Sequence, residues 1–138
     1  MVKKTKTKLP EFVFAVGRRK TAIARVRLYP KPGPILVNEK PIETYFPGED
    51  NRIMYMRPFA VSETLDRYSA TIKVEGSGKY GQIGAVVHAL ARALVKMDAS
   101  LRPPLKKHGL LTRDPRAKER RKPGLAQKAR ARKQSPKR

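Results

Sequence analysis

The sequence predicts one compact domain that mixes strands and helices and carries a basic extension at each end. Residues 21–29 and 68–75 alternate between apolar and polar side chains, which is typical of strands with one buried face. Residues 82–97 repeat apolar side chains at helical spacing. We therefore expect a basic arm at residues 1–11, a globular domain at residues 12–98 and an extended basic tail at residues 99–138.

The net charge is +22 on 138 residues, and it is distributed unevenly. Residues 1–11 contribute +3, residues 12–98 contribute +6 and residues 99–138 contribute +13. A charge of this size says nothing about the fold, but it indicates a polyanionic partner. The central segment of 87 residues is long enough to fold without disulfides or metals.

The composition also excludes several classes of protein. The chain has no cysteine, which rules out a disulfide scaffold, a thiolate zinc site and thiol catalysis. Its apolar runs are too short to cross a membrane, and residues 1–12 show neither a secretory signal nor a transit peptide. His88 has no second ligand at metal-binding spacing on its face of the predicted helix. We expect a cytoplasmic protein with no metal and no cofactor.

The first part of the domain is predicted to contain two strands joined by a cationic turn. Residues 12–16 form an apolar run, predicted as a strand that is buried on both faces and ended by Gly17, and a cationic turn follows at residues 18–20. The next strand, residues 21–29, places two arginines on its outer face, where they could simply be solvated. Because five cations converge here, we favour a phosphate-contacting patch of Arg18, Arg19, Lys20, Arg25 and Arg27.

The sequence of the middle of the domain predicts a third strand, short helices and a fourth strand. Residues 35–37 follow a proline-rich turn and are expected to complete a hairpin with the preceding strand. Between residues 41 and 66 apolar residues recur at helical spacing. This pattern predicts two or three short helices, broken near Pro47 and before Pro58. The fourth strand, residues 68–75, leads to the long helix.

A glycine-rich loop at residues 76–81 reads G-x-G-x-x-G between the fourth strand and the long helix. Asp98 lies 22 residues after its first glycine, near the position of the ribose-binding acid in dinucleotide-binding folds. We reject that match because Asp98 closes the helix instead of ending a second parallel strand. Two alternatives remain: a flexible connection that needs positive φ, or a turn whose N–H groups bind a nucleic-acid phosphate near Gly76, Gly78, Lys79, Gly81 and Gln82.

The tail is expected to be disordered until it meets a polyanion. Residues 110–138 hold 12 Lys and Arg against two acids and too little apolar surface to offset the entropy of ordering. Just before it, Pro103 and Pro104 are expected to limit any further helix. No aromatic residue follows Tyr80, so the tail would bind phosphates instead of stacking on bases. The candidate contacts are Lys106, Lys107, Arg113, Arg116, Lys118, Arg120, Arg121, Lys122, Lys128, Arg130, Arg132 and Lys133.

The glycine loop and the helix after it also carry a family signature. Further family-like stretches lie at residues 15–22, 42–46 and 109–114. In the order and spacing of these stretches, the chain from residue 12 onwards resembles the ninth protein of the small ribosomal subunit, in its bacterial type. Ser77 stands where that family has a second glycine. The signature itself reads Gly76-Ser77-Gly78, Gly81-Gln82, Ala85, Ala89 and Ala91-Arg92-Ala93-Leu94.

The resemblance implies a fold and a function that periodicity alone could not give. The implied fold is an α+β domain: a four-stranded sheet backed by helices around a left-handed βαβ crossover, as in the second domain of the fifth small-subunit protein. The implied role is structural and non-enzymatic, in the subunit head, with the 3′ major domain of ribosomal RNA (rRNA) and neighbouring head proteins as partners. Lys137 and Arg138 would contact the anticodon stem-loop of peptidyl-site transfer RNA (tRNA), and Pro136 stiffens their approach.

Two other classes of function are compatible with parts of the sequence. A nucleotide-dependent enzyme could use the glycine loop, although the sequence offers no second strand and no catalytic constellation for it. A free nucleic-acid chaperone or histone-like packaging protein would be compatible with the charge alone. The spacing and the lack of a transit peptide favour a bacterial cytoplasm over an organelle, and a plastid-encoded origin stays open.

Overall fold

The computed structural model describes residues 11–133 and 136. Its folded part is a five-stranded sheet with helices packed against one face. The order across the sheet is β1-β2-β5-β3-β4. The strands are β1 Val13–Arg19, β2 Ala22–Tyr29, β3 Ile35–Val37, β4 Lys40–Pro41 and β5 Ser69–Glu75. The helices are α1 Ile42–Tyr45, α2 Glu49–Val61, α3 Lys79–Met97 and α4 Arg102–Lys107, with a 3-10 helix at Ala99–Leu101.

The pairing of β3 differs from the expected hairpin. β2 pairs antiparallel with β1 and with β5, while β3 lies parallel to β5 and antiparallel to the two-residue β4. The predicted hairpin of β3 with β2 is therefore wrong, because β5 occupies that edge of β2. The four expected strands are present, and β4 is the additional fifth. Helices α1 and α2 connect the parallel pair β3 and β5, so the chain forms a βαβ unit.

Strand β1 alternates between the two faces of the sheet. Ala15 and Gly17 face the core, whereas Phe14 is 45% exposed on the opposite face. The prediction of a strand buried on both faces and ended by Gly17 is therefore wrong. The strand continues through Arg19, and the predicted cationic turn is reduced to the two-residue connection 20–21, where Lys20 has φ 52°. A short run of apolar residues could not distinguish one buried face from two.

The core lies between the sheet and the long helix α3. The inward residues of β2 are completely buried, and they pack with Ile83, Val86, Leu90 and Leu94 of α3. They belong to the apolar repeat of residues 82–97, so the prediction of the helix and of its buried face is confirmed. The helix begins at Lys79, three residues earlier than expected, which brings Gly81 into its first turn.

Helix α2 contains the proline that was expected to interrupt it. Pro58 lies in the last part of α2 and is buried, so the predicted break before it is wrong. Proline removes one backbone donor and clashes with the carbonyl four residues earlier. Packing of the Pro58 ring into the core, together with Phe59, offsets this local cost.

Residues 99–111, which we expected to belong to the tail, pack against the domain. Helix α4 begins with Pro103 and Pro104 in its first turn, so the prediction that they limit further helix is wrong. Proline is favoured there because the first N–H groups of a helix have no intrahelical partner. Leu105 is fully buried and Leu110 is 8% exposed. From residue 113 to residue 133 the chain has no helix or strand.

Within residues 11–133, none of the helices combines the length and the apolar composition required to span a membrane.

Candidate nucleic-acid interface

The face of the sheet opposite the helices carries an array of cations. On this outer face Arg25 lies opposite Val16 on one side and Lys73 on the other, and Arg27 lies between Phe14 and Thr71. Directly opposite side chains in antiparallel strands have Cβ atoms about 5 Å apart. Phe14, Arg25, Arg27, Thr71 and Lys73 line one shallow groove, which we call the sheet groove.

The sheet groove contains two of the five cations of the predicted patch and one further cation, Lys73. Arg25 and Arg27 point away from the core, as the alternation of their strand predicted. Lys73 was missed, although the same alternation in residues 68–75 places it outward. Arg25 Nη1 lies 3.8 Å from Glu75 Oε1, but both side chains are more than half exposed, so this ion pair contributes little.

Arg19 does not join the other cations. Its side chain is 12% exposed, and its Nη2 lies 3.3 Å from Asp114 Oδ2. Its guanidinium carbon lies 4.7 Å from the centroid of the Tyr80 ring, a cation–π contact. The absence of a side chain at Gly84 leaves room for it, since a Cβ there would lie 2.2 Å from Arg19 Cδ. Arg19 therefore lies apart from the predicted group of five cations and faces the start of the tail, whereas Arg18 and Lys20 are exposed.

The glycine loop is a tight connection with one side open. Gly76 has φ 83° and Ser77 has φ 54°, whereas Gly78 is extended. A Cβ on Gly76 would lie 2.5 Å from the carbonyl oxygen of Thr21, so this position requires glycine. A Cβ on Gly78 would meet nothing within 4 Å, and no side chain caps the start of α3. The loop thus needs positive φ, and space for an anion at the helix start is present.

Two predicted ligands of that loop are occupied within the protein. The Gln82 side chain donates to the Gly76 carbonyl at 3.1 Å and accepts from the Tyr45 hydroxyl at 2.9 Å. Lys79 Nζ lies 3.3 Å from the centroid of the Tyr45 ring and donates to the Tyr45 carbonyl at 3.3 Å. Both side chains hold the loop against α1, so in this structure they position the loop.

A cluster at the start of the tail fixes where the tail leaves the domain. Asp114 accepts from Arg116 Nε and Nη2 at 3.0 Å and 2.8 Å and pairs with Arg19. The hydrogen bonds from Arg116 hold the pKa of the Asp114 carboxyl far below its usual range. His88 Nε2 lies 3.2 Å from the carbonyl oxygen of Leu111. We call Arg19, His88, Asp114 and Arg116 the tail clamp.

Twelve cations between residues 106 and 133 are exposed, including Arg116 of the tail clamp. Glu119 accepts from Arg130 Nε at 2.9 Å, so these two residues close a loop in the tail. The backbone N–H of Lys122 donates to the Lys128 carbonyl at 3.2 Å within that loop. The tRNA-binding candidates Lys137 and Arg138 lie outside the described residues. The exposed cations are Lys106, Lys107, Arg113, Arg116, Lys118, Arg120, Arg121, Lys122, Lys128, Arg130, Arg132 and Lys133.

A protein-family model described as Ribosomal protein S9/S16 matches residues 17–138, which include the end of β1, the glycine loop, α3 and the tail. The match covers well over half of the chain and confirms the resemblance drawn from the glycine loop and helix. Its members are structural proteins of the ribosome, which excludes the nucleotide-dependent enzyme, and their partners are ribosomal RNA and other ribosomal proteins. The chain belongs to the ribosomal protein S9/S16 family.

Proposed function

We propose that the protein is a structural constituent of the head of the small ribosomal subunit and binds the 3′ major domain of its rRNA. The observation that carries this proposal is the exposed basic tail. Residues 116–133 contain nine Lys and Arg and a single acid, Glu119, and all nine basic residues are exposed. A segment of this charge is stabilised when it neutralises closely spaced phosphates.

The tail would bind mainly through the RNA backbone. Each phosphate contact releases condensed counterions, which favours binding and makes it salt-dependent. Arginine forks match the geometry of phosphate oxygens, and lysines add point charges. No aromatic residue follows Tyr80, so recognition by the tail would follow the shape of the RNA more than its base sequence.

The folded domain would contribute a second set of contacts. Arg18, Lys20, Arg25 and Arg27 are exposed and available to phosphates, and the open start of α3 could hold one more phosphate. We assign Arg19 to positioning, because Asp114 and Tyr80 already engage its guanidinium group. We also propose that the crossover from β3 to β5 is left-handed and that the protein functions in a cytoplasmic ribosome.

Sedimentation of ribosomal subunits tests this function. The protein should co-sediment with the small subunit after a high-salt wash, and its absence from that fraction would contradict the proposal. A free packaging protein would instead bind duplex DNA as strongly as it binds structured rRNA. Competition between the two nucleic acids at one salt concentration separates these functions.

We further propose that Lys137 and Arg138 contact the anticodon stem-loop of the peptidyl-site tRNA. Small subunits assembled with a chain lacking both residues should form normally but retain this tRNA more weakly, since only two charged contacts are lost. Filter binding of tRNA to purified subunits measures the effect. Unchanged retention, or failed assembly, would show that the assignment is wrong.

A further inference from the structure

The outer face of the sheet carries exposed aromatic rings beside its cations. Phe14 is 45% exposed and Phe12 is 39% exposed. The Phe12 ring packs against Tyr29 with 5.9 Å between centroids, and the Arg27 guanidinium lies 5.3 Å from the Phe12 centroid. Phe14 lies opposite Arg27, one row from the Arg25–Lys73 pair. Aromatic rings and cations thus lie side by side on the outer face of the sheet.

This arrangement differs from ordinary exposure of single apolar side chains, which needs no explanation. Helix α3 packs on the opposite, buried face of the sheet, and within residues 11–133 no helix covers the sheet groove. The groove is lined by one ring, one threonine and three cations, Arg25, Arg27 and Lys73. Such a surface offers stacking and phosphate contacts within a few ångströms of each other.

We propose that the sheet groove binds an unpaired segment of RNA, with one base stacked on Phe14 and the neighbouring phosphates on Arg25, Arg27 and Lys73. This inference rests on the proposed function and adds a mode of recognition to it. Base–aromatic stacking requires a free base face, which paired RNA does not offer. The tail contacts the backbone, whereas the sheet groove would hold an exposed base.

The charge of the groove favours RNA over the other occupants. The basic arm of this chain carries four lysines in residues 1–10, and a second copy carries a net charge of +22, so both would be repelled. An acidic protein would match the cations, but its charge provides no partner for the Phe14 ring. A nucleotide matches both the ring and the cations, since it has a π-face and a phosphate.

A stacking probe tests the inference on the full-length protein. The probe is a single-stranded oligoadenylate with 2-aminopurine at one position, compared with the same strand paired to oligouridylate. Phe14→Leu keeps the strand apolar but removes the ring, and Phe14→Tyr is the matched control that keeps it. Phe14→Leu should weaken single-strand binding by roughly 5- to 150-fold, the range for one lost base–aromatic stack, and should abolish the quenching of 2-aminopurine.

The control measurements separate stacking from charge. Phe14→Tyr should bind like the unchanged protein, and neither variant should alter duplex binding or the salt dependence, because no phosphate contact is removed. Arg27→Gln should lower the salt slope by about 0.7 on single-stranded RNA. Equal quenching by Phe14→Leu and the unchanged protein would overturn the inference.

Photo-crosslinking in assembled small subunits gives an independent result. Irradiation at short wavelength should attach a nucleotide to the peptide that contains Phe14. A crosslink from Phe14 to a neighbouring protein would instead identify a protein interface and overturn the inference. Absence of the chain from the subunit would contradict the proposed function alone, since the oligonucleotide experiment still decides whether Phe14 stacks.

Discussion

Gly17 shows how a missing side chain sets the distance between β1 and α3. A Cβ at this position would lie 2.2 Å from the carbonyl oxygen of Ala85 and 2.3 Å from the backbone nitrogen of Ala89. These atoms belong to the helix backbone, so the whole of α3 would have to move. Overpacking of this kind costs typically 1–3 kcal/mol, and we expect Gly17→Ala to lose about 3 kcal/mol of unfolding free energy.

Urea unfolding measures this loss, and the glycine loop provides a matched control. A Cβ on Gly78 meets nothing within 4 Å, and Gly78 has negative φ, so Gly78→Ala should cost less than about 1 kcal/mol. Equal stabilities of the two variants would show that the close approach of α3 to β1 is not constrained by Gly17.

His88 gives the domain a defined pH dependence. Burial is the main cause that lowers its pKa, and the nearby Arg92 and Arg113 lower it further, while the contact with Leu111 raises it. The unfolded histidine has a pKa of about 6.5. Between this value and the lower folded value, the unfolded chain binds more protons, so stability falls as the pH falls.

We expect the unfolding free energy to decrease between pH 7.5 and pH 5.5, and His88→Gln should make it less dependent on pH. His108→Gln is the matched control, because this histidine is exposed. Thermal unfolding at a series of pH values compares the three proteins. An unchanged pH profile in His88→Gln would contradict the role of this residue.

At the residue scale, alternation predicted direction but not partners. It placed Arg25 and Arg27 outward, as observed. The same alternation places Arg19 inward once β1 is extended to its observed end, whereas the prediction ended this strand at Gly17. The partner of Arg19, Asp114, lies 95 residues later in the chain. Local pattern contains no information on such a contact, because only the packing of α3 and α4 brings the two residues together.

At the scale of elements, Arg92 and Lys96 on one polar face of α3 cover the edge of the sheet. Arg92 donates to the carbonyl of Val16, and Lys96 donates to the carbonyl of Phe14 at 2.9 Å. These carbonyls lie on the strand at the edge of the sheet, β1, where unpaired backbone groups could pair with another chain. His88, Arg92 and Lys96 follow one another at four-residue steps and therefore share a helix face, but what that face contacts depends on which strand the helix crosses.

The pairing of β3 shows the corresponding limit for strands. The sequence predicted a strand at residues 35–37, and its position is confirmed. A turn rich in proline and glycine suggested a hairpin, but the outcome depends on which strand lies beside β2. The crossover through α1 and α2 delivers β5 to that edge, and no local signal distinguishes the two arrangements.

The tail clamp should order the first residues of the tail. Asp114→Asn removes the carboxylate charge that faces both Arg19 and Arg116, so we expect faster hydrogen exchange at residues 112–117. The pair with the exposed Arg116 contributes roughly 0–1 kcal/mol, so most of any loss of global stability should come from the pair with the largely buried Arg19.

Glu119→Gln is the matched control for the clamp. It disrupts the exposed pair with Arg130 but touches neither Arg19 nor Arg116. Exchange at residues 112–117 should therefore stay unchanged in this variant, as followed by mass spectrometry of peptic peptides. Identical exchange in Asp114→Asn and the unchanged protein would show that the clamp does not order the tail.

For the molecule as a whole, the folded core and the basic tail meet at residue 111 instead of residue 98. Composition located the charge correctly, since residues 99–138 carry +13. It could not show that residues 99–111 pack on the domain, because five leucines among the 15 Lys and Arg of residues 99–138 are a weak signal. Leu105 and Leu110 are nonetheless buried against the core.

Two truncated chains should separate folding from RNA binding. Residues 1–111 retain both leucines, whereas residues 1–98 lack them. Burial of one leucine contributes about 1.5–3 kcal/mol, so the shorter chain should lose roughly 3–6 kcal/mol of a typical total of about 5–15 kcal/mol. Its melting temperature should fall by more than about 15 °C, while that of residues 1–111 should stay within a few degrees of the full chain.

RNA binding by residues 1–111 should be strongly reduced, although the stability of this chain should not be. Residues 112–138 contain 12 Lys and Arg, so their removal should greatly reduce both the affinity for rRNA and the dependence of that affinity on salt. Residues 1–111 would then be a stable domain with weaker RNA binding, because the core closes at Leu110 and a net charge of +10 out of the total of +22 lies in residues 112–138. Equal melting temperatures of the two truncated chains would contradict the boundary at residue 111.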